Sequence, residues 1–170
     1  MRAELLGKLL LLLGCASLGV LRGLELKKRT ACLWAFRRAL SLLTRELSFS
    51  LRPLTALLDQ AAGETTGPAG TFFTACRENF LAGGGESWAD SWQQALAETP
   101  LPLTEPDKQV LAQVGDVLGR YDGESQRRAL EGLGEALDGC LDQSRQEEKR
   151  LFRVYVALGV TGGLFCLILL

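Results

Sequence analysis

Histidine is absent from all 170 residues. With it go the commonest general base, the commonest metal ligand, every Ser-His or Cys-His nucleophile pair and most zinc sites. Cysteine is sparse and scattered, at Cys15, Cys32, Cys76, Cys140 and Cys166, with no Cys-x-x-Cys pair. An odd, dispersed set reads as small apolar residues in a reducing compartment, not as a disulfide framework. Net charge of one sign is lacking too: 19 Lys and Arg against 20 Asp and Glu leave −1. No overall basic field attracts nucleic acid. Gly83, Gly84 and Gly85 are followed by Glu86, Ser87 and Trp88, without the Lys and Ser/Thr that a phosphate-binding loop requires. They read as a hinge or turn. Remaining carboxylates such as Asp122 and Glu124 could form an acid/base pair, but turn and cap roles are far commoner for them. The composition therefore points away from an enzyme and implies no cofactor and no bound metal.

Charge is also missing locally. Residues 154–170 form a 17-residue run without a charged side chain, ending on Leu167-Ile168-Leu169-Leu170. Seventeen is the short end of the ~17–25 residues that cross a bilayer as a helix. Ten of them are Val, Leu, Ile or Phe, a favourable sum of roughly −3 to −6 kcal/mol at mid-bilayer. Residues 5–21 make a second run, broken only by Lys8, whose stem can snorkel to the near interface. An Ala-x-Ala cleavage site is missing from it. Leu12-Leu13-Gly14-Cys15 resembles a lipoprotein box, but six residues between Lys8 and Cys15 are too few for its apolar region. An uncleaved anchor fits better; a lipid-modified Cys15 with the domain outside the cell is the alternative.

Flanking charge sets the expected orientation. Arg22, Lys27, Lys28, Arg29, Arg37 and Arg38 follow the first run, and Lys149, Arg150 and Arg153 precede the second. Beyond the runs the positive groups are only Arg2 and the N-terminal amine, with no charged side chain after the second run. The positive-inside rule then places the central domain in the cytoplasm and both termini outside. The expected division is an N-terminal anchor with its basic flank over 1–29, a helical bundle over 30–153 and a transmembrane helix over 154–170. Cys15, Gly19 and Gly23 in the first run, and Gly159 and Gly163 in the second, offer small faces for close packing between spans.

Within the domain the apolar spacing is helical throughout. Leu33, Phe36, Leu40, Leu43 and Leu47 repeat at three and four, with Arg37, Arg38, Arg45 and Glu46 on other faces. Pro53 suits the first turn of a short helix over Leu54 to about Ala62. Residues 63–70, with Thr65, Thr66 and Pro68, read as a loop. Phe72, Phe73, Cys76 and Phe80 form a short amphipathic set. Ser87 is placed to cap a helix bearing Trp88, Trp92, Ala95 and Leu96. Thr104 and Asp107 make a capping-box-like start for one bearing Val110, Leu111, Val114, Val117 and Leu118. Gly119 can close that helix, and Asp122 can open the next, with Glu124 well placed on its dipole. Arg120 and Tyr121 are not needed for either cap. With Asp122 they form a candidate partner-binding turn; failing that, the surface around Arg37, Arg38 and Gln93 is next. Leu130, Leu133, Leu137, Cys140, Leu141 and Ser144 then line one side of a long helix, about 70 Å to the end of the chain at ~1.5 Å per residue.

Taken together, the terminal apolar runs, Pro53-Leu54, Trp92-x-x-Ala95-Leu96 and Leu118-Gly119-x-x-Asp122-x-x-x-Gln126 resemble the stage III sporulation protein AB family along nearly the whole chain. The chain departs from that pattern after Pro53-Leu54, where Thr55, Ala56, Leu57 and Leu58 replace an acid followed by Ala-Leu. The family is itself similar to the cytoplasmic domain of type II secretion system protein F, an inner-membrane platform. The resemblance implies a cytoplasmic helical bundle in the mother-cell membrane of an endospore-forming bacterium. It also implies a secretion-like complex joining mother cell and forespore, with a secretion-type ATPase and other stage III sporulation membrane proteins as partners. Whether the chain forms a homo-oligomer stays open.

Overall fold

The computed structural model describes residues 2–49, 53–83, 87–118 and 123–168, with the side chains of the first 23 residues and most of those beyond Val154 outside the description. Six α-helices and no strand occur among these residues: α1 (Arg2–Phe49), α2 (Leu54–Glu64), α3 (Pro68–Ala82), α4 (Trp88–Glu98), α5 (Glu105–Leu118) and α6 (Gly123–Ile168). The all-α expectation holds. The chain divides into two compact units, one of Arg29–Asp142 and one of Met1–Lys28 with Gln143–Leu170. Among the described residues no helix is long and apolar enough to cross a membrane. The apolar runs 5–21 and 154–170 lie mostly outside the described side chains.

The unit Arg29–Asp142 closes around aromatic rings. Phe36 of α1 meets Phe72 and Phe73 of α3 at centroid distances of 5.1 and 5.4 Å, and Phe72 meets Trp92 of α4 edge-on at 4.7 Å. Such tilted pairs let the electropositive ring edge face a π cloud, which adds about 0.5–1.5 kcal/mol to the burial itself. Leu33, Leu40, Leu58, Leu111, Val114, Leu130, Leu137 and Leu141 complete the core, so the three-and-four spacings of α1, α5 and α6 face one interior. The stripes read from the sequence are the buried ones.

Helix boundaries follow local chemistry. Ser87 accepts from the Asp90 N–H at 3.2 Å, the cap expected for α4. Pro53 is the residue before α2, not its first turn. The loop expected over 63–70 is far shorter. α2 runs through Gly63 to Glu64, where the backbone N–H and hydroxyl of Thr65 close it on the Ala61 carbonyl at 3.0 and 2.6 Å. α3 begins at Pro68, whose missing N–H costs nothing at the first helical position. Gly67 alone makes the reversal, at φ 71° and ψ −151°, a conformation that favours glycine. The Gly/Thr/Pro cluster marked the turn correctly and overstated its length.

Gly115 sits inside α5, where glycine costs helix stability. The reason is Trp92: a Cβ on Gly115 would lie 2.5 Å from the indole Cγ and Cδ1. The ring therefore lies against bare backbone, and its Nε1 donates to the Leu111 carbonyl at 2.8 Å. Gly132 in α6 is the contrast, with nothing within 4 Å of an added Cβ. Gly115→Ala should destabilise the protein by about 1–3 kcal/mol through overpacking, and Gly132→Ala should stabilise it by about 0.5–1 kcal/mol. Urea denaturation of the two variants checks both signs.

Candidate functional site

The most concentrated polar chemistry in the unit Arg29–Asp142 is buried. Arg29 opens this part of α1 and Asp107 lies in the first turn of α5, 78 residues away, yet their side chains are only 7% and 1% exposed. Arg29 Nε donates to Asp107 Oδ2 at 2.7 Å and Nη2 to Oδ1 at 3.0 Å. The Thr104 backbone N–H and hydroxyl donate to the same Oδ2 at 2.9 and 2.8 Å. Four donors thus meet a carboxylate with about four acceptor sites.

The balance of forces on Asp107 can be read from these contacts. Burial alone would raise its pKa, but the hydrogen bonds from Arg29 and Thr104, with the guanidinium charge, overcome it and hold the carboxyl below the ordinary aspartate value. The aspartate is ionised, with three of these donors on Oδ2 and one on Oδ1. The thiols nearby are held protonated: burial, then the Asp107 charge, pushes Cys32 up to about 12, and the same two causes, with a hydrogen bond to Asp107, raise Cys140. Cys76, buried against apolar neighbours, is also pushed up to about 12. A thiol acts as nucleophile or metal ligand only as thiolate. Among the described residues no group of three His, Cys, Asp or Glu side chains is arranged to hold a metal ion.

A second polar device joins α5 to α6. Gln126 is buried, and its amide donates to the Leu118 and Val117 carbonyls at 2.8 and 3.3 Å. It satisfies two of the carbonyls that the end of α5 leaves without helical partners. This gives the Leu118…Gln126 spacing a physical reason: the glutamine folds back from the first turn of α6 to cap the helix before it. At the surface, Arg37 Nε lies 3.0 Å from both Asp138 oxygens, and Arg77 pairs with Asp59 at 2.6 Å.

A family model described as stage III sporulation protein AB matches residues 4–170. The chain belongs to the stage III sporulation protein AB family. A relative of that name from Bacillus subtilis (strain 168) is 28% identical over 136 residues, 79% of this chain and 79% of its own length. A solved structure of stage III sporulation protein AB (SpoIIIAB) superposes with a TM-score of 0.68 at 26% identity, covering 72% of this chain and 98% of that one. The family is a sporulation family, and its description names no enzyme activity.

The residues singled out from the sequence fare unevenly. Arg120, Tyr121 and Asp122 lie outside the described residues, and the surroundings of Cys15, Gly19, Gly23, Gly159 and Gly163 are likewise outside the description. Arg37 and Arg38 are on the surface as expected, and Gln93 is exposed, its amide donating to the Ala112 carbonyl at 3.4 Å. Arg29, counted with Lys27 and Lys28 as a flanking cation, is instead a buried structural cation. Gln126 was legible as part of a motif, but not as a cap. Because the folded pKa of Asp107 is depressed, its contribution is complete above the ordinary aspartate value of about 3.9 and is lost as pH falls through the folded value. Melting temperature should fall on acidification below about pH 4. Asp107→Asn should remove that part of the pH dependence and cost about 3–5 kcal/mol at neutral pH by leaving Arg29 buried without a counter-charge. Thermal melts across pH 2–7 check both effects.

Proposed function

We propose that this protein is a non-catalytic platform component of a secretion-like membrane complex that joins mother cell and forespore during endospore formation. The observation that carries the reading is the family match across residues 4–170. The chemistry of the interior supports it: the buried charges are committed to one another, and the buried thiols are held protonated. Such an interior supplies shape and offers no reacting group.

In this reading the apolar runs 5–21 and 154–170 anchor the chain in the mother-cell membrane, with the helical domain in the cytoplasm. Their length and near-absence of charge, with Lys8 alone inside the first, suit a bilayer, and the basic residues flanking them suit the cytoplasmic side. Close contact between the anchors uses the faces of Cys15, Gly19 and Gly23 and of Gly159 and Gly163. The domain docks a secretion-type ATPase and companion membrane proteins through the turn holding Arg120, Tyr121 and Asp122, where arginine suits a carboxylate on a partner.

Topology and docking are separable by experiment. With single reporters at Gly84 and after Leu170, only the C-terminal one should react with an impermeant reagent in intact cells. Labelling at Gly84 would place the domain outside and favour a lipid-modified Cys15. Arg120→Ala should change stability by no more than about 0.5 kcal/mol and reduce co-purification of partners from sporulating cells. Asp122→Ala should cost about 0.5–2 kcal/mol as a lost N-cap. Undiminished co-purification by Arg120→Ala removes the turn from the docking surface.

A further inference from the structure

The cations nearest the second apolar run are not spent inside the molecule. Lys149, Arg150 and Arg153 of α6 are exposed and form no ion pair among the described residues. A cleft of ≈ 610 Å³ opens on this part of the helix, a volume within the range of small-ligand sites. The three cations line it with Gln143, Gln146, Glu147 and Val154. Gln143, Gln146, Arg150 and Arg153 follow one another at three, four and three, so they share one face. Glu147, the carboxylate in this lining, accepts from the Gln143 amide at 3.3 Å and pairs with none of the three cations.

The two compact units also differ in charge. Met1–Lys28 with Gln143–Leu170 holds nine Lys and Arg against four Asp and Glu, a balance of +5, while Arg29–Asp142 holds ten against sixteen, a balance of −6. The near-neutral total conceals this division. An anionic bilayer surface attracts the first unit and repels the second. Beside the cations, Phe152 and Val154 are bare, at 70% and 45% exposure. Bare apolar side chains are unfavourable in water, but at the boundary between headgroups and acyl chains they meet lipid.

We infer that this cleft binds the headgroup of an acidic phospholipid, with Arg150 and Arg153 on its phosphate, Lys149 beside them and the Gln146 amide on the polar group beyond. The inference rests on the anchor reading above, which puts Arg153 at the bilayer surface. Arg150 then stands ~4.5 Å further out and Gln146 ~10 Å, at ~1.5 Å per residue. The headgroup layer is about 5–8 Å thick on each side, so both arginines lie within it and Gln146 at its outer edge. The planar guanidinium fork matches two phosphate oxygens at once. A zwitterionic lipid brings its own ammonium to offset the phosphate, whereas phosphatidylglycerol presents the anion with hydroxyls that suit an amide. A soluble acidic protein would answer the cations but leave Phe152 and Val154 without a reason to be bare.

The test separates the cleft from the anchors. The full chain is incorporated into vesicles of phosphatidylcholine alone and of equal parts phosphatidylcholine and phosphatidylglycerol, floated, and released into mild detergent, and the lipid that stays with it is measured. Wild type should float with both and retain phosphatidylglycerol over phosphatidylcholine by roughly tenfold, since each Lys or Arg near an anionic surface is worth about fivefold. Arg150→Gln together with Arg153→Gln should bring that ratio close to parity while floating and melting like wild type. Lys27→Gln together with Lys28→Gln removes as much exposed charge from the same unit and should leave most of the preference. Equal retention of the two lipids by wild type overturns the inference. So does an equal loss in both double variants, which reduces the cleft to a general basic collar, and so does displacement of phosphatidylglycerol by inorganic phosphate, which makes it a site for a free anion. A chain that fails to float with phosphatidylcholine yet retains phosphatidylglycerol overturns the anchors and supports the cleft as a peripheral lipid site.

Discussion

A charged pair removed from water must recover in contacts what it loses in hydration, and in this protein the recovery ties distant parts of the chain together. The cost of burying an arginine and an aspartate is several kcal/mol per ion and is met only when geometry and additional hydrogen bonds are good. Asp107 receives two bonds from Arg29 and two from Thr104, so its carboxylate gains all four only when α1 lies against the start of α5. An apolar contact tolerates small slippage. A four-donor carboxylate does not. The aromatic core supplies the bulk of the burial, and this clasp fixes which residues of α1 and α5 face one another.

Other polar contacts in the unit work on the same logic at lower stakes. The Trp92 indole reaches the Leu111 carbonyl only because Gly115 has no side chain in its way, which sets the approach of α4 to α5. Gln126 ends α5 from α6. Each bond serves a buried group that would otherwise be unsatisfied, at about 1–3 kcal/mol. They also bear on function, since groups spent on one another are not offered to a substrate.

Much of this arrangement was legible in the sequence, and most of what was not depends on partners far away in the chain. Local periodicity exposes anything repeated at three or four residues, so Leu33, Phe36 and Leu40, the Leu111–Leu118 stripe and the Ser87 cap all read correctly. Thr104 and Asp107 were readable as a local box for the same reason. Arg29 was not, because its partner is 78 residues away and its neighbours Lys27 and Lys28 made it look like one more flanking cation. Residues 63–70 misled in another way. Gly, Thr and Pro are turn residues in general, but Thr65 serves as a helix end and Pro68 as a helix start, leaving one reversal at Gly67. Gly115 carried a signal in being a glycine within a helical pattern, though nothing local pointed to Trp92.

The central claim is that the Arg29–Asp107 clasp is structural and that the protein acts through its shape and surfaces. It is tested most directly by replacing the pair with apolar residues of similar size, Arg29→Met together with Asp107→Leu, and counting heat-resistant spores formed by cells carrying that chain alone. Replacing a buried ion pair whole is often neutral or stabilising, whereas breaking it costs about 3–5 kcal/mol. The account predicts that either single substitution lowers stability and spore yield together, and that the double variant recovers both. A double variant that melts like wild type yet forms no spores would contradict it, because the charges would then be needed for something other than the fold.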